Sequence, residues 1–309
     1  MVRLTRKLLL LIAVIALAPL AMAIKLDSAV TAWKLVGNAL YLGTESGGVF
    51  KYLIDVDRLE PVWQLPKLSL VTGEVQPKVY SLDYKNGSLL WVRDGPGGYR
   101  VVEEMAPGGR PRVVIPAELE LPIVTTWYTE DGGLLLVLLD GQALWAGKDG
   151  RVNKKLQVTR SAVGAAAYNG KVLAIGDEGG VVTLVNVAGK SIIGSHSLQR
   201  DKVLTLALGE RLLVSGGRDR RAVALDLTTG GTLKLKARFF VMAVAIDATE
   251  TLVAYNYDEG GTIRIVDLKA RREVLKKEGF AGLNKIAFYG EDTLIVTDDM
   301  GNLQTWRWK

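Results

Sequence analysis

The residues with the clearest chemical potential are carboxylates and arginines set in short polar runs. Asp177-Glu178, Asp258-Glu259 and Asp298-Asp299 each follow an apolar run, and Asp94 ends another. Gathered on one rim, such oxygen donors suit a hard cation such as Ca²⁺, and a metal-dependent lactonase or hydrolase would use them in that way. Aspartate and glutamate are equally ordinary turn residues that bond the local backbone, and this is the reading the runs favour. Gly216-Gly217-Arg218-Asp219-Arg220-Arg221 is the most polar run of all. Its arginines can fork onto carboxylates or phosphate. The alternatives are arginines paired with the aspartate in a solvated hairpin, or Asp219 capping the turn. His196 is the single histidine and cysteine is absent. Disulfides, thiolate metal sites, a cysteine nucleophile and multi-histidine metal centres are therefore excluded. His196 has no acidic or nucleophilic neighbour in sequence and reads as a surface or turn residue. Gly95-Pro96-Gly97-Gly98 does not open a helix, so it is a hairpin and not a phosphate loop. No catalytic residue, metal or cofactor is expected.

The elements that hold these residues are short apolar runs separated by Gly, Asn and Asp. Val79-Tyr80-Ser81-Leu82-Asp83-Tyr84 and Thr262-Ile263-Arg264-Ile265-Val266 alternate with period 2, the pattern of strands with two different faces. Lys269 to Glu278 has a partly helical look but falls where a strand is due. A marker of the form Gly-x-apolar-x-apolar recurs at Gly48, Gly98, Gln142, Gly180, Arg221, Gly261 and Gly301, with Gly replaced at Gln142 and Arg221. A repeat of ~40–45 residues with about four strands per unit is the signature of a β-propeller blade. The expected fold is all-β, a seven-bladed propeller formed by residues 24–309. The last unit lacks a fourth strand, and Ile24 to Asp27 is expected to supply it, closing the ring. The wide spacing before Gly98, with Pro107, Pro111 and Pro116, predicts an irregular outer strand in blade 2. The seven tryptophans lie largely in strand-like runs, where they fill space between blades.

Residues 1–23 read as a signal peptide: Arg3, Arg6 and Lys7, an apolar stretch from Leu8 to Leu20, then Ala21-Met22-Ala23 as a cleavage site. The apolar stretch is short of the ~20 residues a spanning helix requires. A periplasmic location and a mature start at Ile24 are expected, without stable membrane insertion. The formal charge of +6 includes those three cations, and the remainder carries 36 basic and 33 acidic residues, too even a balance to point to nucleic acid.

Several third strands end in Val266-Asp267, Leu225-Asp226, Val185-Asn186 or Ile54-Asp55, and the last blade has Thr305-Trp306-Arg307-Trp308. In this the chain resembles the WD40 superfamily over roughly residues 28–309. It departs from the family in having no Gly-His dipeptide, so the family's buried Asp-His-Ser-Trp network cannot form. Apolar packing between blades is expected to replace it. The order of Pro77-Lys78-Val79-Tyr80-Ser81-Leu82-Asp83-Tyr84, Leu121-Pro122-Ile123-Val124, Gly216 to Arg221, Tyr255-Asn256-Tyr257-Asp258-Glu259, Leu283-Asn284-Lys285-Ile286 and Thr297-Asp298-Asp299 is similar to the NapL accessory proteins. These are small exported WD40-like propellers of the periplasmic nitrate reductase system. The resemblance implies a non-enzymatic accessory factor that binds protein and matures or supports that reductase, with nitrate reductase components as partners; a monomer is expected. An envelope-assembly scaffold is the alternative. The expected partner-binding rim comprises Arg218, Asp219, Arg220, Asp258, Glu259, Asp298 and Asp299.

Overall fold

Runs such as Leu134–Leu138 and Thr293–Asp298 are buried along their whole length, because each is the second strand of a sheet covered on both faces. Outer strands such as Thr232–Lys236 instead alternate between exposed and half-buried residues. The computed structural model describes residues 24–70 and 73–308. The expected signal peptide and its cleavage site lie outside the described residues.

Seven four-stranded antiparallel sheets form the blades of a propeller. Blade 4 is representative: Val163–Tyr168 is innermost, followed outward by Val172–Asp177, Val181–Asn186 and Ser191–Ser197. The other inner strands are Val30–Val36, Val79–Lys85, Ile123–Tyr128, Val203–Leu208, Val244–Ile246 and Leu283–Tyr289. Seven apolar clusters sit between neighbouring blades; Leu90, Val102 and Ile115 of blade 2, for example, meet Ile123, Leu136 and Leu144 of blade 3. Lys269 to Glu278 contains the outer strand Arg272–Lys277 of blade 6.

Ile24–Lys25 pairs antiparallel with Asn302–Arg307, the third strand of blade 7. The closing strand is only two residues long, but Leu26 follows it into the interface between blades 7 and 1 and donates its amide to the Gly301 carbonyl at 2.9 Å. Blade 2 has a short outer strand, Arg112–Ile115, with a register shift beside Glu103. The wide marker spacing has a different origin, however. An extra hairpin, Leu68–Leu70 with Gly73–Val75, is inserted between blades 1 and 2.

Polar groups contribute more to the interior than expected. In blade 2 the buried Glu103 accepts from the Trp91 indole at 2.9 Å and from Arg93 Nη2 at 2.6 Å, with all three residues under a tenth exposed. Buried side chains also tether the links between blades to the strands: Thr159 donates to Asp177 at 2.7 Å, and Gln199 to Ser215 at 2.8 Å. Apolar packing is thus supplemented by separate polar ties that differ from blade to blade.

Candidate protein-binding face

In all seven blades the residue that follows, or ends, the second strand donates its amide to the carbonyl just before the inner strand. Glu45 reaches Ala29, Glu178 reaches Ala162, Arg218 reaches Lys202 and Asp299 reaches Gly282, all at 2.9–3.0 Å. The hairpins between second and third strands therefore open on the same face as the links between blades. This places all seven residues of the expected rim on one face, in blades 5, 6 and 7.

Their roles there diverge. Asp219 has a side chain only 9% exposed, and one carboxylate oxygen accepts from the Arg200 amide at 2.9 Å and from Arg221 Nε at 2.9 Å. Asp298 is buried and accepts from the amides of Met300 and Asn302 at 2.9 and 2.8 Å. Asp258 accepts from the Thr262 amide at 3.0 Å. Blade 4 repeats the device with Asp177, which accepts from Gly179 and Val181. These aspartates satisfy the backbone of tight turns, as short carboxylates do. Arg218, Arg220, Glu259 and Asp299 remain exposed and available.

The turns also explain the glycine marker. In six hairpins the last turn residue accepts an amide from the outgoing link; five of these residues are Gly47, Gly141, Gly180, Gly261 and Gly301. All five have positive φ, and a Cβ on any of them would come under 3.0 Å from a link carbonyl. Glycine is required on both counts. Blade 3 therefore keeps its glycine at Gly141, and only blade 5 lacks one. Arg220 takes the left-handed position there, with φ 64.

The link that leaves blade 5 is also the irregular one. Six inner strands carry a register shift near their start, as between Val203 and Thr205 or Leu283 and Lys285. The inner strand of blade 6 has none and is reduced to Val244–Ile246. Residues 237–243 run as a loop, pinned from below by Asn256. Its amide oxygen accepts from Met242 and Ala243 at 2.8 and 3.0 Å, and its nitrogen donates to Phe240 at 2.8 Å. The loop presents Phe239 and Phe240 with ring centroids 4.8 Å apart, and Met242 at 40% exposure. The Arg218 guanidinium lies 5.7 Å from the Phe240 ring, and Arg238 lies 5.6 Å from Tyr257. Met300, 65% exposed, adds an apolar group beside Asp299. Half-buried aromatic residues ringed by charge are the composition of interface centres. Sequence reading missed this patch, because an apolar Phe-Phe pair in a strand-rich chain reads as core. The signal was its place: the preceding link, Gln199-Arg200-Asp201-Lys202, is polar.

On the same face, Tyr80 at the start of the blade 2 inner strand is covered by Arg100, whose guanidinium is 3.2 Å from the ring centroid. Burial pushes its phenol above the ordinary tyrosine value, against the pull of that cation. A channel of about 450 Å³ runs along the axis between the inner strands, with Tyr80 and Met242 in its wall. His196 lies in the outer strand of blade 4, paired with Val182. Among the described residues, no three His, Cys, Asp or Glu side chains converge as a metal site would require. No helix among them is long and apolar enough to cross a membrane.

No protein-family model matches the chain, and no curated protein matches its sequence. Solved structures are similar in fold. The β-propeller domain of Cps50 (Swd1) from Myceliophteria thermophila is 15% identical with a TM-score of 0.73, covering 93% of this chain and 98% of that one. The WD40 propeller domain of Doa1 is 15% identical with a TM-score of 0.71, covering 94% and 96%. A chain of the Mitotic Checkpoint Complex is 17% identical with a TM-score of 0.64, covering 74% and 73%. The chain has the fold of a seven-bladed WD40-like propeller.

Proposed function

We propose that this propeller is a protein-binding factor that docks its partner on the face of blades 5 to 7. The observation that carries the reading is the Phe239, Phe240 and Met242 patch, which the irregular link lifts onto that face beside Arg218, Arg220, Glu259 and Asp299. Aromatic and arginine side chains at the centre of an interface supply most of its energy, and mixed charge at the rim sets register and encounter rate. The rigid ring holds these groups at low entropic cost. That one neighbour in fold is a chain of a named multiprotein complex supports the general reading of protein binding.

The finer assignment is to the periplasm, as an accessory of nitrate reductase. It is supported by the N-terminal charge and hydropathy pattern and by the ordered segments similar to the NapL proteins. Mass spectrometry of the native protein should find a chain starting at Ile24. Biolayer interferometry against purified periplasmic nitrate reductase subunits tests the partner. Binding that falls at least tenfold in Phe240→Ser and in Arg218→Glu, both with unchanged melting, supports the proposed face. Binding unaffected by either substitution moves the site elsewhere on the propeller, and no binding by the wild-type chain removes the nitrate reductase assignment.

A further inference from the structure

The outermost strand of a blade leaves a row of backbone N–H and C=O groups on the perimeter, and such edges are open to pairing unless something guards them. Six blades guard theirs. The outer strand of blade 1, Arg58–Gln64, carries Arg58, Glu60 and, at its centre, Pro61. That of blade 2, Arg112–Ile115, is four residues long and stands between Pro111 and Pro116. Blade 3 has Lys154 and Lys155, blade 5 has Lys234 and Lys236, and blade 6 has Arg272, Lys276 and Lys277. Blade 7 ends in only two residues, Ile24–Lys25.

Blade 4 has no such guard. Its outer strand, Ser191–Ser197, reads Ser-Ile-Ile-Gly-Ser-His-Ser, with no Lys, Arg, Asp, Glu or Pro. Ile192 and Ile193 are 46% and 54% exposed and belong to neither apolar cluster that flanks this blade. Apolar residues of other outer strands are used differently: Leu156 packs into the cluster between blades 3 and 4, and Leu233 and Leu235 into that between blades 5 and 6. A bulge at Ile193 lies opposite Leu184 and Val185, but bulges recur in the outer strands of blades 1, 2, 3 and 6, so it does not distinguish this strand. Beyond it, Gly194 to Ser197 pair in regular register with Leu184 to Val181.

We infer that this edge pairs with the same edge of a second copy of the chain, antiparallel about a twofold axis, so that two blade 4 sheets become one. Charge selects this occupant. When identical strands pair antiparallel about their centres, Val152–Gln157 sets Lys154 against Lys155, Thr232–Lys236 sets Lys234 against its own copy, and Arg272–Lys277 sets Arg272 against Lys277. Arg58–Gln64 sets Pro61 against itself. Like charges directly opposite are destabilising, and proline cannot donate to the ladder. Ser191–Ser197 meets neither obstacle, and its pairing covers the two exposed isoleucines of each copy with a neutral strand.

The symmetry closes at two copies, since each edge is used once. A single strand pair is smaller than a standard interface, so the association is a weak one. The inferred state is a dimer, in place of the monomer expected from the sequence. It requires no residue of the proposed docking face on blades 5 to 7, so either reading can fail without the other.

The test is sedimentation velocity on the protein as the cell processes it, at rising micromolar concentration. The wild type should show a reversible monomer–dimer equilibrium. Ile193→Lys, which puts one charge on the edge, should weaken self-association at least tenfold with unchanged melting. Because the chain has no cysteine, Ser195→Cys gives a second readout. A short thiol cross-linker should join two copies of it, and should not join two copies of Lys154→Cys on the guarded edge of blade 3. A wild type that stays monomeric overturns the inference, as does a dimer insensitive to Ile193→Lys or one without the Ser195→Cys cross-link. Species larger than a dimer overturn the twofold pairing. A monomeric wild type whose capture of nitrate reductase subunits is lost in Ile193→Lys would make the edge a dock for an extended segment of a partner, and overturns the second copy as its occupant.

Discussion

Replacing Glu103 with leucine should destabilise the propeller more than any surface change, and the structure gives the magnitude. Glu103 holds two donors that have nowhere else to turn. Trp91 is fully buried, and its indole N–H loses its acceptor, a loss of about 1–3 kcal/mol. Arg93 keeps only the Asp94 carbonyl, at 2.7 Å from Nη1, while its Nε already lacks a partner. Removing one member of a buried ion pair costs about 3–5 kcal/mol in total, because the other charge stays buried. Burial of the leucine side chain returns about 1–2 kcal/mol of that. A net loss of about 3 kcal/mol remains, or roughly 6–12 °C in melting temperature for a domain of this size. The double substitution Arg93→Met with Glu103→Leu removes the orphaned charge and leaves only the indole unsatisfied. It should melt within a few degrees of the wild type, giving a coupling energy of about 2 kcal/mol between the two sites. Thermal unfolding followed by circular dichroism on the four proteins completes the cycle. A single variant that loses under about 1 kcal/mol, or a double variant as unstable as the sum of the singles, would refute the claim that this pair is a coupled buried unit.

Arg220→Gly should raise stability by about 0.5–1 kcal/mol, since a left-handed residue is relieved of its Cβ, while weakening partner binding in the interferometry assay; a destabilised variant would show that Arg220 is not strained. A chain beginning at Ser28 loses the burial of Leu26 and three strand-closing contacts, about 3–5 kcal/mol, and hydrogen exchange should quicken at Asn302 and Leu303, the two residues that pair with the lost strand; exchange equal to the intact chain there would deny the closure its role. For pH, Lys285 has a folded value, about 8, below its unfolded one, so between them the unfolded chain binds more protons and stability rises with pH. From pH 8 to 9.5 the gain is up to roughly 2 kcal/mol, reduced by water in the channel; above pH 10 it is opposed by buried phenols such as Tyr41, raised to about 12, which the unfolded chain ionises first. Urea midpoints of wild type and Lys285→Met should converge as pH rises through this window, and parallel curves would remove Lys285 as the cause.

The ring was legible because its signals are local. Strand periodicity, tight turns and a repeat of fixed length belong to each blade separately, and closure follows once an unpaired last strand is recognised. The candidate site was legible only in part. Arg218, Arg220, Glu259 and Asp299 stand exposed where the turn positions put them, but turn position alone cannot separate them from Asp219, Asp258 and Asp298, which bond the backbone. That distinction lies in which amides a hairpin leaves unpaired. The Glu103 network joins residues 10 and 12 apart across one strand pair, and nothing in the composition marks it. Lys285 reads as the solvent-facing member of an alternating strand. The bulge before it, combined with the ring, turns an outward position into an axial one.

The two-residue seam in blade 7 makes closure of the ring depend on segments far apart in the chain. A chain made from its N-terminus carries Ile24–Lys25 with no partner until Asn302 and Leu303 exist. Joining them then closes a loop of roughly 280 residues, for which chain entropy alone exacts roughly 5 kcal/mol. Any product stopped before that point keeps an open ring, with an unpaired strand edge of the kind that proteases, chaperones and other nascent chains engage.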